Sequence, residues 1–153
     1  MKIVKIIQWD MGHRVLNHRS ICKGIHGHRY KAEICLEGEI ITKTGVSEEG
    51  MVIDFADIKK TAKSFIQDKL DHAFMIWDKD DELIEFFRSS KGHKPVFVPF
   101  TPTAENVAKY IFEILNTKFK DVFKTGLKLN SIKLWETPTS YVFYTTKNKH
   151  KKV

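Results

Sequence analysis

The spacing of hydrophobic residues changes at Asp54, and this change limits the chain to folds that combine a sheet with helices. Within residues 28–41, alternate positions are apolar, which is typical of a strand with one buried face: Tyr30, Ala32, Ile34 and Leu36. After Asp54 the apolar residues recur every three or four positions, which is typical of an amphipathic helix: Phe55, Ile58, Ala62, Phe65, Ile66 and Leu70. Because the two periods occupy separate segments, we predict an α+β domain.

Six elements follow from these patterns and their end signals. Asp54 is a suitable N-cap for the first helix, and the Thr-Pro-Thr segment at 101–103 marks the start of the second. We predict strands at 2–13 and 28–41, helices at 54–70 and 103–119, and strands at 127–136 and 141–146. This ββααββ order predicts a four-stranded antiparallel sheet backed by two helices, in one domain at 1–147 that precedes a tail at 148–153. Because an open sheet of four strands exposes its edges, we expect association with further copies.

The net charge of +7 comes largely from the end of the chain. The segment "KNKHKKV" contributes four positive charges, which leaves +3 for the rest. A basic terminus can bind nucleic acid, but the chain shows neither an RNA-binding aromatic signature nor zinc-finger spacing. The pattern therefore favours a solvated terminus, and we expect no nucleic-acid partner. An anionic small molecule would suit the remaining excess equally well.

The chain shows no feature of export or of membrane insertion. No segment approaches the roughly 18–20 continuous apolar residues that a membrane span needs. The first ten residues, "MKIVKIIQWD", contain no small-residue cleavage site of a signal peptide. We therefore expect a cytoplasmic protein without a membrane partner, in which Cys22 and Cys35 are reduced.

Three histidines form a candidate metal site. His26 and His28 are two residues apart at the start of a strand, so both side chains lie on one face. His13 ends the preceding strand, and antiparallel pairing would bring it near them. Three neutral imidazoles suit Zn²⁺ with a further position open for water or substrate, whereas the spacing matches no structural zinc ribbon or finger.

Two further groups could move protons beside such a metal. Arg19 and Lys23 flank Cys22 and would favour its thiolate form, although Cys22 could instead be a metal ligand or an inert thiol. Asp71 precedes His72 at the end of the first helix, where a histidine can simply complement the helix dipole. Beside a thiolate, the aspartate could orient the imidazole as a proton carrier.

Glu136 shares strand parity with Ile132 and Leu134, so it projects from an apolar face where a carboxylate needs a partner. A ligand with a guanidine-like edge could accept a bidentate contact from it. If the parity breaks at the end of the strand, Glu136 is instead solvated. The pattern alone leaves both alternatives open.

The chain resembles the 6-pyruvoyl-tetrahydropterin synthase superfamily through six motifs in the same order: "WDMGHR", "CKGIHGHRY", "GMVIDFADIK", "LDHAFM", "PTAENVA" and "LWETPTS". Within it, the motifs are most similar to those of the bacterial branch that forms 6-carboxy-5,6,7,8-tetrahydropterin for queuosine biosynthesis. The resemblance implies the tunnelling fold (T-fold), in which subunits assemble into a trimeric barrel that is commonly doubled to a homohexamer.

The resemblance also implies roles for individual residues. His13, His26 and His28 would be the zinc ligands and Cys22 the catalytic base. Asp71 and His72 would form a proton relay supplied by a neighbouring subunit, and Glu136 would anchor the aminopyrimidine ring of a pterin. The family pattern places two further residues in the substrate pocket, Thr103 and Glu105.

The implied substrate is 7,8-dihydroneopterin triphosphate, which the carboxy-forming branch converts to 6-carboxy-5,6,7,8-tetrahydropterin, acetaldehyde and triphosphate. Three residues separate Cys22 from His26, as in that branch, whereas the animal pyruvoyl-forming enzymes have a longer spacing. A pyruvoyl-forming synthase that eliminates triphosphate is the alternative enzyme. The remaining alternatives are a pterin- or metal-binding module without catalysis, and a basic nucleic-acid-associated protein. Thr139 stands where asparagine is usual in the bacterial form, which affects only a turn.

Overall fold

A computed structural model describes residues 1–123 and 126–146. The predicted tail at 148–153 lies outside the described residues, and so does Lys147. Within the described part of the chain, no helix has both the length and the apolar content that a membrane span requires.

One six-stranded sheet organises the described residues, in the order β4-β3-β1-β2-β5-β6. The four strands on one side are antiparallel neighbours, and they confirm the predicted antiparallel sheet. The strands are β1 (Lys2–His13), β2 (His26–Glu37), β3 (Ala73–Trp77), β4 (Pro95–Val98), β5 (Lys128–Thr137) and β6 (Ser140–Thr145).

Helices pack against one face of this sheet. The first predicted helix is present as a continuous helical run that consists of α1 (Phe55–Ala62), a π-helical segment (Lys63–Gln67) and α2 (Asp68–Leu70). Asp54 caps it as predicted, because its side chain accepts a hydrogen bond from the Ala56 N–H. The second predicted helix is α4 (Ala104–Val122), which Thr103 caps.

The predicted ββααββ order is incomplete, because three elements lie between α2 and α4. Strands β3 and β4 run parallel to β1 and to each other, and α3 (Asp81–Ser89) connects them. The five residues of β3 show no alternation of apolar and polar residues, because the strand is covered on both faces. The sequence of α3 does carry a helical signal, because apolar residues at 83, 84, 86 and 87 follow the N-cap Asp80, but this signal was missed. The segment "RSSKGHKPVFVPF", which the sequence predicts to be a loop that ends in a short extended piece, contains β4.

The two faces of the antiparallel strands differ in burial. One face packs against the helices and forms the core, which includes the fully buried Tyr30, Ala32, Ile34 and Leu36 of β2. The other face carries exposed apolar side chains such as Val4, Ile6 and Phe143 together with charged ones. His26 and His28 have the parity of the core face, so the candidate metal site lies at the end of the sheet where the core opens.

Candidate metal and substrate site

The three predicted metal ligands converge at the end of the β1–β2 ladder. His13, the last residue of β1, pairs with His26, the first residue of β2, and His28 follows on the same face. One ring nitrogen from each lies within 4.8 Å of the others. This is the only group of three or more histidine, cysteine or acidic side chains with such spacing within residues 1–123 and 126–146.

Backbone carbonyls orient two of these rings. The His13 Nδ1 lies 2.6 Å from the Pro102 carbonyl oxygen, and the His26 Nδ1 lies 2.8 Å from the Gly24 carbonyl oxygen. Because a carbonyl only accepts, each Nδ1 must carry the proton, which leaves the lone pair on Nε2. This is the usual arrangement of histidines that bind a metal.

His13 is also kept in the neutral form that metal binding requires. Burial lowers the pKa of His13, and the neighbouring His26 and His28 lower it further, against the opposing effects of the Pro102 carbonyl and Glu136. The side chain is only 2% exposed. Three convergent imidazoles, two of them with a fixed tautomer, fit a Zn²⁺ ion.

Glu136 lies beside this cluster and not in open solvent. Its Oε1 is 3.7 Å from the His13 Nε2, and it accepts a hydrogen bond of 3.4 Å from the Tyr30 hydroxyl. Burial raises the pKa of Tyr30, and the charge of Glu136 raises it further, so the phenol keeps its proton and remains a donor. Glu136 therefore lies on the same face of β5 as Ile132 and Leu134, as its position in the strand predicts.

A cavity of about 530 Å³ opens beside the histidines. Its lining contains every predicted site residue except Asp71 and His72: His13, Cys22, His26, His28, Thr103, Glu105 and Glu136. Cys22 lies in a 3₁₀ turn (Ile21–Lys23), and its carbonyl accepts a hydrogen bond of 2.8 Å from the Val15 N–H. Cys22 is a free thiol, as is Cys35, whose side chain lies on the other face of β2.

Asp71 and His72 form a pair at a different cavity. The Asp71 Oδ1 lies 3.2 Å from the His72 Nδ1 and accepts a hydrogen bond of 3.0 Å from the Asp10 N–H. That backbone hydrogen bond is the main reason why the pKa of Asp71 is lowered. His72 has a φ of 57°, the only positive φ of a non-glycine residue in the described part of the chain, and its side chain is 80% exposed.

Within one chain, the structure does not bring this pair together with the thiol. His72 lines a second cavity of about 490 Å³ that Cys22 does not line, although His28 lines both. The predicted relay and the predicted base therefore do not share a cavity within one chain.

Sequence reasoning missed two residues of the site. Tyr30 reaches both Glu136 and His13 with its hydroxyl, and its position two residues after His28 on the same face was the available signal. His18 lines the cavity with Cys22, but a single exposed histidine in a loop carries no pattern that would identify it.

The comparisons with known proteins agree with this fold. The family described as 6-pyruvoyl tetrahydropterin synthase matches residues 2–147. A curated Haemophilus influenzae protein named 6-carboxy-5,6,7,8-tetrahydropterin synthase is 38% identical over 146 residues, which cover 94% of this chain and 97% of that protein.

Two solved structures have the same architecture. An uncharacterised protein of Wolinella succinogenes superposes with a TM-score of 0.77 at 26% identity, covering 95% of this chain and 98% of that one. The Caenorhabditis elegans 6-pyruvoyl tetrahydropterin synthase superposes with a TM-score of 0.64 at 25% identity, covering 95% and 94%. The predicted T-fold is confirmed, and the chain belongs to the 6-pyruvoyl tetrahydropterin synthase family.

Proposed function

We propose that this protein is a zinc-dependent lyase that converts 7,8-dihydroneopterin triphosphate and water to 6-carboxy-5,6,7,8-tetrahydropterin, acetaldehyde and triphosphate. The observation that carries the proposal is the single cavity that contains three convergent imidazoles, a free thiol and Glu136. The 38% identity to a protein named for this product supports the carboxy-forming branch. The product would enter queuosine synthesis in the cytoplasm.

His13, His26 and His28 would hold the zinc ion, which supplies Lewis-acid polarisation of the substrate side-chain hydroxyls when bound. The carbonyls of Pro102 and Gly24 keep two of these imidazoles in the tautomer that binds metal.

Glu136 would hold the pterin. A carboxylate can accept two parallel hydrogen bonds from the ring N–H and the amino group of an aminopyrimidine, as it does from a guanidinium. The buried Tyr30 hydroxyl donates to Oε1 and so limits the rotation of this carboxylate. The ring would thereby be held at the histidine end of the cavity, with its side chain beside Cys22.

Cys22 would act as the base that removes a proton from a substrate carbon next to the ring. Of the residues that line the cavity with the histidines, Cys22 is the only thiol. The 3₁₀ turn and the Val15–Cys22 backbone hydrogen bond hold its segment at the cavity that the metal ligands also line, which supports this role.

His72 would act as the second proton carrier, with Asp71 orienting its ring. Because the pair does not line the Cys22 cavity of its own chain, we propose that it serves the active site of a neighbouring subunit. The assembly would be a trimer or hexamer, in which the exposed apolar face of the antiparallel strands is covered.

The sequence between thiol and metal ligand favours the carboxy-forming reaction, because three residues separate Cys22 from His26. The alternative is a pyruvoyl-forming synthase, because the matched family and the Caenorhabditis elegans neighbour are both named for that activity.

Mass spectrometry of the products from zinc-loaded protein and 7,8-dihydroneopterin triphosphate tests the proposal. A 6-carboxy pterin with one acetaldehyde per turnover is the expected result. A pyruvoyl product would transfer the protein to the alternative, and a Cys22→Ala variant with full activity would remove Cys22 from the mechanism. The absence of turnover by fully zinc-loaded oligomer would contradict both enzymatic assignments.

A further inference from the structure

We propose that the loop at residues 14–25, through His18, Arg19 and Lys23, binds the triphosphate group of the substrate. This inference rests on the proposed function for the identity of the ligand. We call these residues the polyphosphate loop. It borders the cavity that contains Cys22 and the metal ligands, because His18 and Cys22 both line that cavity.

The charge of the polyphosphate loop suits a polyanion. Residues 14–25 contain no aspartate or glutamate. Arg14 is neutralised by Asp80 and Glu82, which leaves the exposed Arg19 and Lys23 as its two available cations. No salt bridge joins either of these two to an acid within the described residues, so their charges are free for a ligand.

His18 adds a donor of defined position. Its Nδ1 accepts a hydrogen bond of 3.1 Å from the Ser20 N–H, so the neutral ring must carry its proton on Nε2. That nitrogen makes no hydrogen bond within the described residues, and an N–H donor suits a phosphate oxygen. The backbone hydrogen bond from His18 N to the Val15 carbonyl, 2.9 Å long, holds the residue in the loop.

The charges of the other basic residues of this region, Arg29 and Lys31, are already engaged in contacts within the protein. Arg29 forms two hydrogen bonds with Asp10, of 2.9 Å and 2.6 Å, which occupy its guanidinium. The Lys31 ammonium lies 4.3 Å from the centre of the Trp135 ring and 3.8 Å from the Glu33 Oε1. Both residues are at odd positions of β2 and line a separate cavity of about 450 Å³, which also reaches His28 and Glu136 but not Cys22.

The charges across the cavity match the two ends of the proposed substrate. Glu136 lies at the β5 side, where a carboxylate suits the hydrogen-bond donors of the aminopyrimidine edge. The polyphosphate loop lies at the Cys22 side and carries positive charge, while the second carboxylate of the cavity, Glu105, is exposed in the first turn of α4. A molecule with a donor edge at one end and a polyanion at the other would therefore enter in a single orientation.

Calorimetric titration of the zinc-loaded protein with inorganic triphosphate tests the inference without any turnover. We expect each of Arg19→Gln and Lys23→Gln to raise the Kd about tenfold, the loss of one charge-assisted contact. We expect His18→Ala to raise it about threefold, because a neutral donor contributes less. Lys59→Gln is the matched control, since it removes the same charge from an exposed position of α1 that lines none of these cavities and should leave the Kd unchanged. Lys31→Gln tests the competing position, because Lys31 lines a cavity with His28 and Glu136. All variants are compared at equal zinc content, because triphosphate also coordinates metal ions.

The outcomes separate this inference from the proposed function. A Kd raised by Lys31→Gln and not by the loop variants would overturn the inference, and so would a Kd that no variant changes. If the loop variants weaken triphosphate binding but no pterin product forms, the loop is a polyphosphate site and the proposed function fails. If 6-carboxy pterin forms with an unchanged KM in Arg19→Gln and Lys23→Gln, the function stands and the inference fails. We expect KM to rise about tenfold in both variants while kcat changes less than about twofold.

Discussion

Replacing Asp80 with asparagine removes the negative charge that pairs with the buried guanidinium of Arg14. Both carboxylate oxygens of Asp80 accept from Arg14, and the side chains of the pair are only 3% and 9% exposed. Asp80 also caps α3 through the Leu83 N–H, a role that asparagine can keep. The substitution therefore isolates the loss of the ion pair from the loss of the cap.

The expected cost follows from the burial of the pair. Removing one partner of a buried ion pair costs about 3–5 kcal/mol, because the other charge stays buried without compensation. Glu82 still contacts Arg14 at 2.8 Å, so we expect the lower end, about 3 kcal/mol. With an m-value of about 2 kcal/mol per M of urea, the midpoint of unfolding should fall by about 1.5 M.

Two further variants control this measurement. Glu82→Gln removes a partner whose side chain is 78% exposed, so the midpoint should shift by less than about 0.5 M. Adding Arg14→Met to Asp80→Asn removes the unpaired charge and should recover part of the lost stability. A midpoint for Asp80→Asn within about 0.5 M of the wild type, or a double variant less stable than the single one, would refute this reasoning.

The same pair predicts an acid dependence. Burial alone would raise the pKa of Asp80, but the hydrogen bonds from Arg14 and from the Leu83 N–H outweigh it and hold the pKa below its usual value of 3.8. A carboxyl group whose pKa is lower in the folded protein than in the unfolded chain contributes its full stabilisation at pH values above the unfolded pKa. This stabilisation is lost as the pH falls through the pKa of the folded state. The stability difference between wild type and Asp80→Asn should therefore shrink below about pH 4. Urea midpoints that differ equally at about pH 3 and about pH 7 would contradict this.

Three predictions concern the site. His26→Ala should reduce bound zinc by at least about tenfold relative to wild type, because one of three ligands is lost. Atomic emission measures the zinc content, and a content equal to that of the wild type would show that His26 is not a ligand. Cys22→Ser should lower kcat by at least about a hundredfold while zinc content and triphosphate affinity are retained, as expected for a lost general base; an unchanged kcat would contradict that role. Glu136→Gln should weaken binding of a pterin, measured by fluorescence quenching, by about tenfold or more through loss of a charge-assisted contact; equal affinity would show that the ring is held elsewhere.

Elements with regular hydrophobic spacing could be predicted from the sequence alone. Strand β1 is predicted at 2–13 and lies at Lys2–His13, and the helix predicted at 103–119 lies at Ala104–Val122. Residues two apart on a strand share a face in any fold, so the spacing of His26 and His28 is enough to place them together. The pairing of His13 with His26 follows from the antiparallel arrangement of neighbouring strands.

Which distant segments meet depends on the tertiary structure. The parallel strand β3 was not predictable from spacing, because a short strand that is covered on both faces shows no alternation. A short extended piece is predicted where β4 lies, but no local pattern encodes its parallel pairing with β3. The hydrogen bond between Tyr30 and Glu136 joins residues 106 positions apart, and no local pattern encodes it. The separation of His72 from Cys22 likewise depends on how the loops fold against the sheet, whereas the pairing of Arg29 with Asp10 follows from the register of the β1–β2 ladder. Local periodicity specifies faces and ends of elements, whereas the packing of the whole chain selects which polar groups share a cavity and which cations remain free to bind a ligand.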